Sequence, residues 1–394
     1  MRSFFCLLTN LAVAMFLVNG YGEYEFARLS FERLAKKYGH HPEVYEIKTI
    51  DGYILTLFRL PGSRSTPVLL QHGILDSSMT WILRGNNSLG ISLANAKYDV
   101  WLSNIRGNTL SRKHVYFDPD KDPAFWDYNL DDLGTIDLAA IIDKILSVTG
   151  AKRLNAIGHS MGNTIFYILG SRKPQYNGKI NVMIALAPVC YMHDLQEPVA
   201  WLFENANNIN TILVESHIHE LFGRSTPPGY FMKLLCVDPA TSYDVCYKSL
   251  LFHITGASDN TEINSDFTQM ASKYFPAGIS RKVALHYSQI GIRRRFQRFD
   301  YVKDNFKVYN TSDPPEYNLS RVTMRFVLVA GQNDKLSSLK NVNLLRSRLP
   351  NVVDYIVHPR KRFSHLDFTW GKRTKETLFP YIFYILNKFS CTYP

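Results

Sequence analysis

Cysteine is scarce in this chain, five among 394 residues, too few for a fold stapled throughout by disulfides. After residue 20 no apolar run reaches the ~20 residues that a membrane-spanning helix needs. A Gly-x-x-x-x-Gly-Lys phosphate loop and a Gly-x-Gly-x-x-Gly dinucleotide fingerprint are both missing, so no nucleotide cofactor is expected. Metal ligands do not cluster either. His217-Ile218-His219-Glu220 offers two alternate histidines with no evident third ligand, and it reads as polar surface rather than a metal site. Acidic residues are the minority, 34 against 45 Lys and Arg, for a formal charge of +11. The basic residues are scattered rather than arranged as a stripe, so no nucleic-acid partner is expected. Their densest cluster, Arg293, Arg294, Arg295 and Arg298, reads as a solvated face in preference to a contact with anionic lipid headgroups.

What is present begins with a leader. Arg2 supplies a positive start, residues 4–18 are mostly apolar, and Val18 and Gly20 are small enough for a signal peptidase. Residues 1–20 are therefore expected to be a signal peptide, and the mature chain a soluble protein of the secretory pathway. Cys6 would leave with it. Of Cys190, Cys236, Cys246 and Cys391, which allow three full pairings, Cys236 and Cys246 flank the turn-forming Asp238-Pro239, and an oxidising compartment favours closing that loop. Cys190 follows a buried-strand pattern and reads as a free core thiol. Asn86, Asn310 and Asn318 each head an Asn-x-Ser/Thr sequon, an expected glycosylation acceptor on the surface of a secreted protein.

The remaining chain, 46% hydrophobic and 13% aromatic, can bury a large core. Residues 43–49 and 53–60 flank Ile50-Asp51-Gly52 and read as an antiparallel hairpin. Short apolar runs at 68–70, 98–102, 154–157, 181–187, 325–330 and 355–357 read as buried strands. Helical periodicity marks 132–148, with Gly150 behind it, 163–169, and 377–389 with Thr377 as N-cap and Pro380 in the first turn. Strands alternating with helices give an α/β fold with a mostly parallel central sheet flanked by helices. The rhythm breaks between residues 190 and 309, a stretch rich in Phe, Tyr, His and Asn. The expected organisation is a core in two parts, 21–189 and 310–394, with 190–309 inserted as a mainly helical cap.

Gly158-His159-Ser160-Met161-Gly162 lies between a strand and a helix. A serine projecting from so sharp a turn needs small neighbours on both sides, and Ser160 is the expected nucleophile. Folds that carry such an elbow order their triad as serine, acid, histidine. Asp334 follows the strand at 325–330 on a Gly331-Gln332-Asn333 turn, and His365 lies beyond the strand at 355–357. Both fall where loops gather at the carboxyl edge of a parallel sheet. Asp354 and Asp367 compete with Asp334. His358 competes with His365 but is constrained by Pro359. His159 would point away from the nucleophile, as a packing or hydrogen-bonding residue. Backbone amides of Met161 and of Ile74, in Gln71-His72-Gly73-Ile74, are the expected oxyanion donors, and His72 braces that loop.

With these residues in view, the chain resembles the acid lipases, the group of gastric and lysosomal acid lipases and their insect relatives. The likeness rests on Leu70-Gln71-His72-Gly73-Ile74, Ser103-Asn104-Ile105-Arg106-Gly107-Asn108-Thr109, Ser111-Arg112-Lys113-His114 and Gly158-His159-Ser160. It continues through Phe275-Pro276-Ala277-Gly278, Pro314-Pro315-Glu316-Tyr317, Asn333-Asp334 and His365-Leu366-Asp367-Phe368. Lys121-Asp122-Pro123-Ala124-Phe125-Trp126-Asp127 looks closest to insect members. The resemblance implies the α/β-hydrolase fold, a lipid ester substrate and a cap over the site, about residues 190–309, whose aromatic content is read as apolar surface for a lipid–water interface. It implies a triad of Ser160, Asp334 and His365, oxyanion amides at Ile74 and Met161, and a cap disulfide between Cys236 and Cys246. The chain departs from the family at Met161, where Gln is usual, at Gln332, where a second glycine is usual, and over 335–339. The competing reading is a catalytically inactive lipid-binding or storage protein on the same fold, which would be expected to have lost a triad member.

Overall fold

The computed structural model describes residues 29–223, 226, 229, 236 and 242–390. The leader at 1–20 and Cys391 lie outside these residues.

Among the described residues the central sheet has eight strands in line, β1 (Glu43–Lys48), β2 (Tyr53–Leu60), β3 (Val68–Gln71), β4 (Val100–Ser103), β5 (Leu154–His159), β6 (Ile180–Leu186), β7 (Phe326–Ala330) and β8 (Val352–Val357), and a short ninth, Lys113–His114, antiparallel to the start of β2. Their order across the sheet is β1-β2-β4-β3-β5-β6-β7-β8. β1 and β2 pair antiparallel, as do β2 and β4, and every later pairing is parallel. Burial follows from this order. β3, β4, β5, β6 and β7 are buried along their whole length, because crossover helices cover both faces, and so they read as unbroken apolar runs. β1 lies at the edge and alternates exposed and covered residues.

Side chains alternate across each strand, which divides the core in two. Leu69, Ala156 and Met183 point into one cluster, beneath α3 (Leu138–Thr149) and α4 (Met161–Arg172). Leu70, Ile157 and Ile184 point into the other, beneath α1 (Phe31–Lys37), α2 (Leu89–Asn95) and α10 (Phe379–Ser390). Between these last two, in chain order, come α5 (Val199–Glu204), α6 (Ala206–Glu215), α7 (Ser265–Ala271), α8 (Arg281–Arg293) and α9 (Leu339–Arg348).

The helix expected at 132–148 runs from Leu130 to Thr149 and ends at Gly150, whose left-handed φ of 67° suits glycine. It is not uniform. Leu133–Asp137 is a wider π turn, and Asp137 at its end is fully buried. The C-terminal helix differs at its start. Thr377 ends a separate short helix, Thr374–Thr377, and its hydroxyl donates to the Arg373 carbonyl instead of capping α10, which begins at Phe379 with Pro380 in its first turn.

Residues 190–309 lie between β6 and β7 and supply α5 to α8, the two-residue ladder Glu220–Leu221 with Ile279–Ser280, and the helix Asn305–Tyr309. Cys236 and Cys246 are bonded within this stretch, and Cys190 is a free, buried thiol. The arginine cluster after α8 is largely neutralised. Arg293 pairs with Asp300 and Asp313, Arg295 with Glu316, and Arg298 with Asp131. Among the described residues no helix is long and apolar enough to cross a membrane.

Candidate active site

β5 delivers its last residues into a turn that only small neighbours permit. A Cβ on Gly158 would lie 2.4 Å from Asn163 Oδ1, and one on Gly162 would lie 2.5 Å from the Gln71 carbonyl oxygen. Ser160 sits between them at φ 54° and ψ −120°, a strained conformation for any side chain. The strain is held by the end of β6. The Ser160 amide donates to Leu186 O at 3.1 Å, and Asn163 Nδ2 donates to the same carbonyl at 2.7 Å. Met161 is the first residue of α4, where backbone amides have no partner inside the helix and the helix dipole is positive.

β7 ends in the turn that presents Asp334. One carboxylate oxygen accepts from the amides of Leu336 (2.9 Å) and Ser337 (2.7 Å). Both oxygens face His365, with Nδ1 at 2.8 and 3.0 Å. The Asp334 side chain is fully buried and that of His365 is 4% exposed. A carboxylate can only accept, so Nδ1 carries the ring proton and Nε2 is left with a free lone pair. The neighbouring loop is close by. His159 Nε2 donates to the His365 carbonyl at 2.9 Å, and the two rings are 4.9 Å apart.

The rival groups are engaged elsewhere. Asp354 accepts from the Tyr381 hydroxyl. Asp367 accepts from Ser258 and from the Ser364 amide. His358 stacks on Phe363 at 3.6 Å and bonds Thr377. Burial lowers the His358 pKa to about 4 and that of His159 to about 3, so both rings stay neutral near pH 7.

The loop after β3 approaches the serine closely: a Cβ on Gly73 would lie 3.1 Å from Ser160 Cβ. Buried His72 holds this loop. Its Nδ1 donates to Gly73 O at 2.8 Å, which leaves Nε2 to accept from the Ile105 amide (3.4 Å) and Asn108 Nδ2 (3.2 Å). Burial brings its pKa down to about 4. Ile74 follows, and the Leu75 carbonyl beside it accepts from the Ala277 amide at 2.7 Å, joining this loop to the insertion.

The structural roles of four residues were not legible in the sequence. Arg106, 1% exposed, is held by Asp137 and Asp51, each at 2.6 Å, and its guanidinium lies 3.9 Å from the centre of the Tyr53 ring. The available signal was Asp137, an acidic residue four positions from both Leu133 and Ile141 on an apolar helix face. Asp76 is buried with no ion-pair partner among the described residues, and burial raises its pKa to about 7. Glu262, fully buried, gathers Arg360 and Arg373. Glu220 pairs with Arg112 at 2.9 Å, so the last residue of the His217-Ile218-His219-Glu220 run is one half of an interior ion pair. Among the described residues no three His, Cys, Asp or Glu side chains are grouped to hold a metal ion.

Known proteins resemble this chain over most of its length. A profile described as a partial α/β-hydrolase lipase region matches residues 31–85, and one described as the α/β hydrolase fold matches residues 66–212. Lipase 1 of Drosophila melanogaster is 37% identical over 91% of this chain and 80% of its own. Gastric triacylglycerol lipase of Bos taurus is 34% identical over 88% of each chain. Lysosomal acid lipase/cholesteryl ester hydrolase of Homo sapiens is 32% identical over 92% of each. An esterase from Thermogutta terrifontis superposes with a TM-score of 0.51 at 16% identity, over 88% of this chain and 99% of its own, a likeness of fold alone. The chain belongs to the acid lipases, a family of carboxylic ester hydrolases built on the α/β-hydrolase fold.

Proposed function

We propose that this acid lipase acts in the secretory pathway, outside the cell or in a lysosome, and cleaves lipid esters by way of an acyl-enzyme on Ser160, His365 and Asp334. The observation that carries the reading is the buried Asp334–His365 pair, whose hydrogen bond leaves Nε2 free to accept, beside a strained serine at a helix start. In this mechanism Nε2 takes the Ser160 proton as Oγ attacks the ester carbonyl. The oxyanion is met by the Ile74 and Met161 amides. The imidazolium, stabilised by Asp334, returns the proton to the leaving alcohol. Water then attacks the acyl-enzyme with His365 again as base, releasing the fatty acid. No step calls for a cofactor.

The substrate class follows from the relatives, whose names specify triacylglycerol and cholesteryl ester. Residues 190–309 are assigned as a cap over the site. Its helices α5 and α6 expose Trp201, Leu202, Ile212 and Val214, apolar surface suited to a lipid–water interface. The three sequon residues Asn86, Asn310 and Asn318 are all exposed, which is compatible with glycan attachment.

The test is release of p-nitrophenol from short- and long-chain esters by wild type and Ser160→Ala. Loss of about 10⁴-fold or more in kcat for the variant supports the serine mechanism. A folded wild type inactive on both esters would instead favour a lipid-binding role.

A further inference from the structure

The loops carrying Asp334 and His365 are joined by a piece of the insertion. The one-turn helix Phe252–Thr255 ends at Gly256, and the next residues pass between the two loops. The Thr255 carbonyl accepts from the amides of both His365 (3.3 Å) and Lys335 (3.4 Å). Asn333 Nδ2, next to Asp334, donates to the Ala257 carbonyl at 2.8 Å. The Ser258 hydroxyl donates to Asp367 Oδ1, whose other oxygen accepts from the Ser364 amide at 2.7 Å, one residue before His365. Contact is tight as well as polar. Gly256 has φ 95°, and a Cβ there would lie 1.9 Å from the Asn333 carbonyl oxygen and 3.4 Å from Ser364 Cβ.

We propose that residues 255–258 form a positioning strap for the Asp334–His365 pair, with Ser258 fixing the His365 loop through Asp367. This rests on the triad assigned above. The physical reason is that the acid and the base come from different connections, after β7 and after β8, whose direct bonds, from the Asn333 amide to the Phe363 carbonyl at 3.0 Å and from Gln332 Nε2 to the His358 carbonyl at 2.9 Å, lie before both residues and leave the loop ends free to turn. A third segment bonded to both removes that freedom. Asp367 is itself fully buried, so a lost donor is not replaced by water at no cost, and the loop it organises must shift. Misplacement of a catalytic group by a fraction of an ångström to 1 Å costs on the order of 10- to 100-fold in rate. Ser258 is a positioning residue in this account, since it touches neither substrate nor Ser160.

The experiment compares wild type, Ser258→Ala, Ser258→Thr and Asn333→Ala on p-nitrophenyl butyrate, together with the rate at which a fluorophosphonate labels Ser160. In the folded Ser258→Ala variant kcat and the labelling rate are expected to fall by about the same factor, on the order of tenfold, with KM unchanged. Ser258→Thr, which restores the hydroxyl, should recover most of the loss, and Asn333→Ala should show a smaller fall of the same kind. Wild-type kcat in a folded Ser258→Ala, a change confined to KM, or no recovery by Thr overturns the strap. If Ser258→Ala does not fold, Asn333→Ala decides by the same criteria. A wild type that neither turns over nor labels overturns the triad, and the strap with it. An active wild type matched by an equally active Ser258→Ala overturns the strap alone.

Discussion

Two stretches of the same insertion are built in opposite ways. In α5 and α6 almost nothing is enclosed: α6 has no buried residue, and Ile212 is 61% exposed. In residues 252–278 Phe252, Ile263, Phe267, Ala271 and Tyr274 enter the core beside α1, α2 and α10. Charge follows the same division. Glu262 lies in that second stretch with its side chain fully buried. Burial by itself would raise its pKa, but bonds from Arg373 and the charges of Arg360 and Arg373 win, and the carboxyl is held below its ordinary value. Its backbone carbonyl accepts from Arg84, which also reaches the Trp370 carbonyl. An apolar helix left in water and a carboxylate sealed among arginines place one insertion under two demands. The first half leaves apolar side chains exposed, and the second is bonded to the loop that bears His365.

The largest expected effect tests the fixed half. Glu262→Ala takes the buried carboxylate away from Arg360 and from the half-exposed Arg373, and losing the acceptor that Arg360 faces inside the protein destabilises the fold. Thermal unfolding should show a clear fall in Tm. An unchanged Tm would mean that the second stretch is no better anchored than the first. A smaller effect is expected in the exposed half. Trp201→Ser with Ile212→Ser removes apolar surface available to a lipid phase and should lower hydrolysis of emulsified long-chain esters by about tenfold, while dissolved short-chain esters are cleaved as before. Equal losses on both substrates would assign α5 and α6 to the site itself.

The smallest effect lies in the loop after β3, to which the insertion is joined through Ala277. Burial holds the Asp76 pKa near 7, above its usual 3.8, so between those values the folded chain binds more protons than the unfolded one. The stability contributed by neutral Asp76 is therefore full at low pH and is lost as pH rises to about 7. Asp76→Asn keeps an acceptor for the Ser77 amide and should raise Tm at pH 8 relative to wild type by more than at pH 5. Equal differences at the two pH values would remove the titration from the account. Buried His72 and His159, with lowered pKa values, act in the opposite sense. Their contribution is lost as pH falls from 6.5 toward 4, so the Asn variant and wild type must be compared at each pH.

Much of the fold was legible because local pattern and tertiary demand coincide there. The apolar runs became strands because a parallel sheet covered on both faces favours apolar residues along its whole length, with a few buried polar ones such as Asn155 and Asn181, which bond each other. Gly150 marked a helix end because that backbone conformation suits no other residue as well. Thr377 misled the reading, since a threonine before an apolar run looks like a cap whether or not a short helix intervenes. The insertion was visible as a loss of rhythm, but not as two regions of opposite character. Its aromatic residues read the same whether they end in the core or in water.

The sequence by itself determined the elbow, since Gly-x-Ser-x-Gly between a strand and a helix is legible in five residues, although the atoms that leave no room for a Cβ at Gly158 and Gly162 include Met183 and Gln71 from neighbouring strands. It also determined the order of strands and helices, and with that the family. Only the tertiary structure decided which carboxylate His365 faces, that Arg106 is held by an aspartate 31 residues away, and that Ser258 bonds an aspartate 109 residues distant. Those pairings are set by where separate loops end in space, and a distance between loops is fixed by the packing of the elements beneath them, which no local spacing of residues encodes.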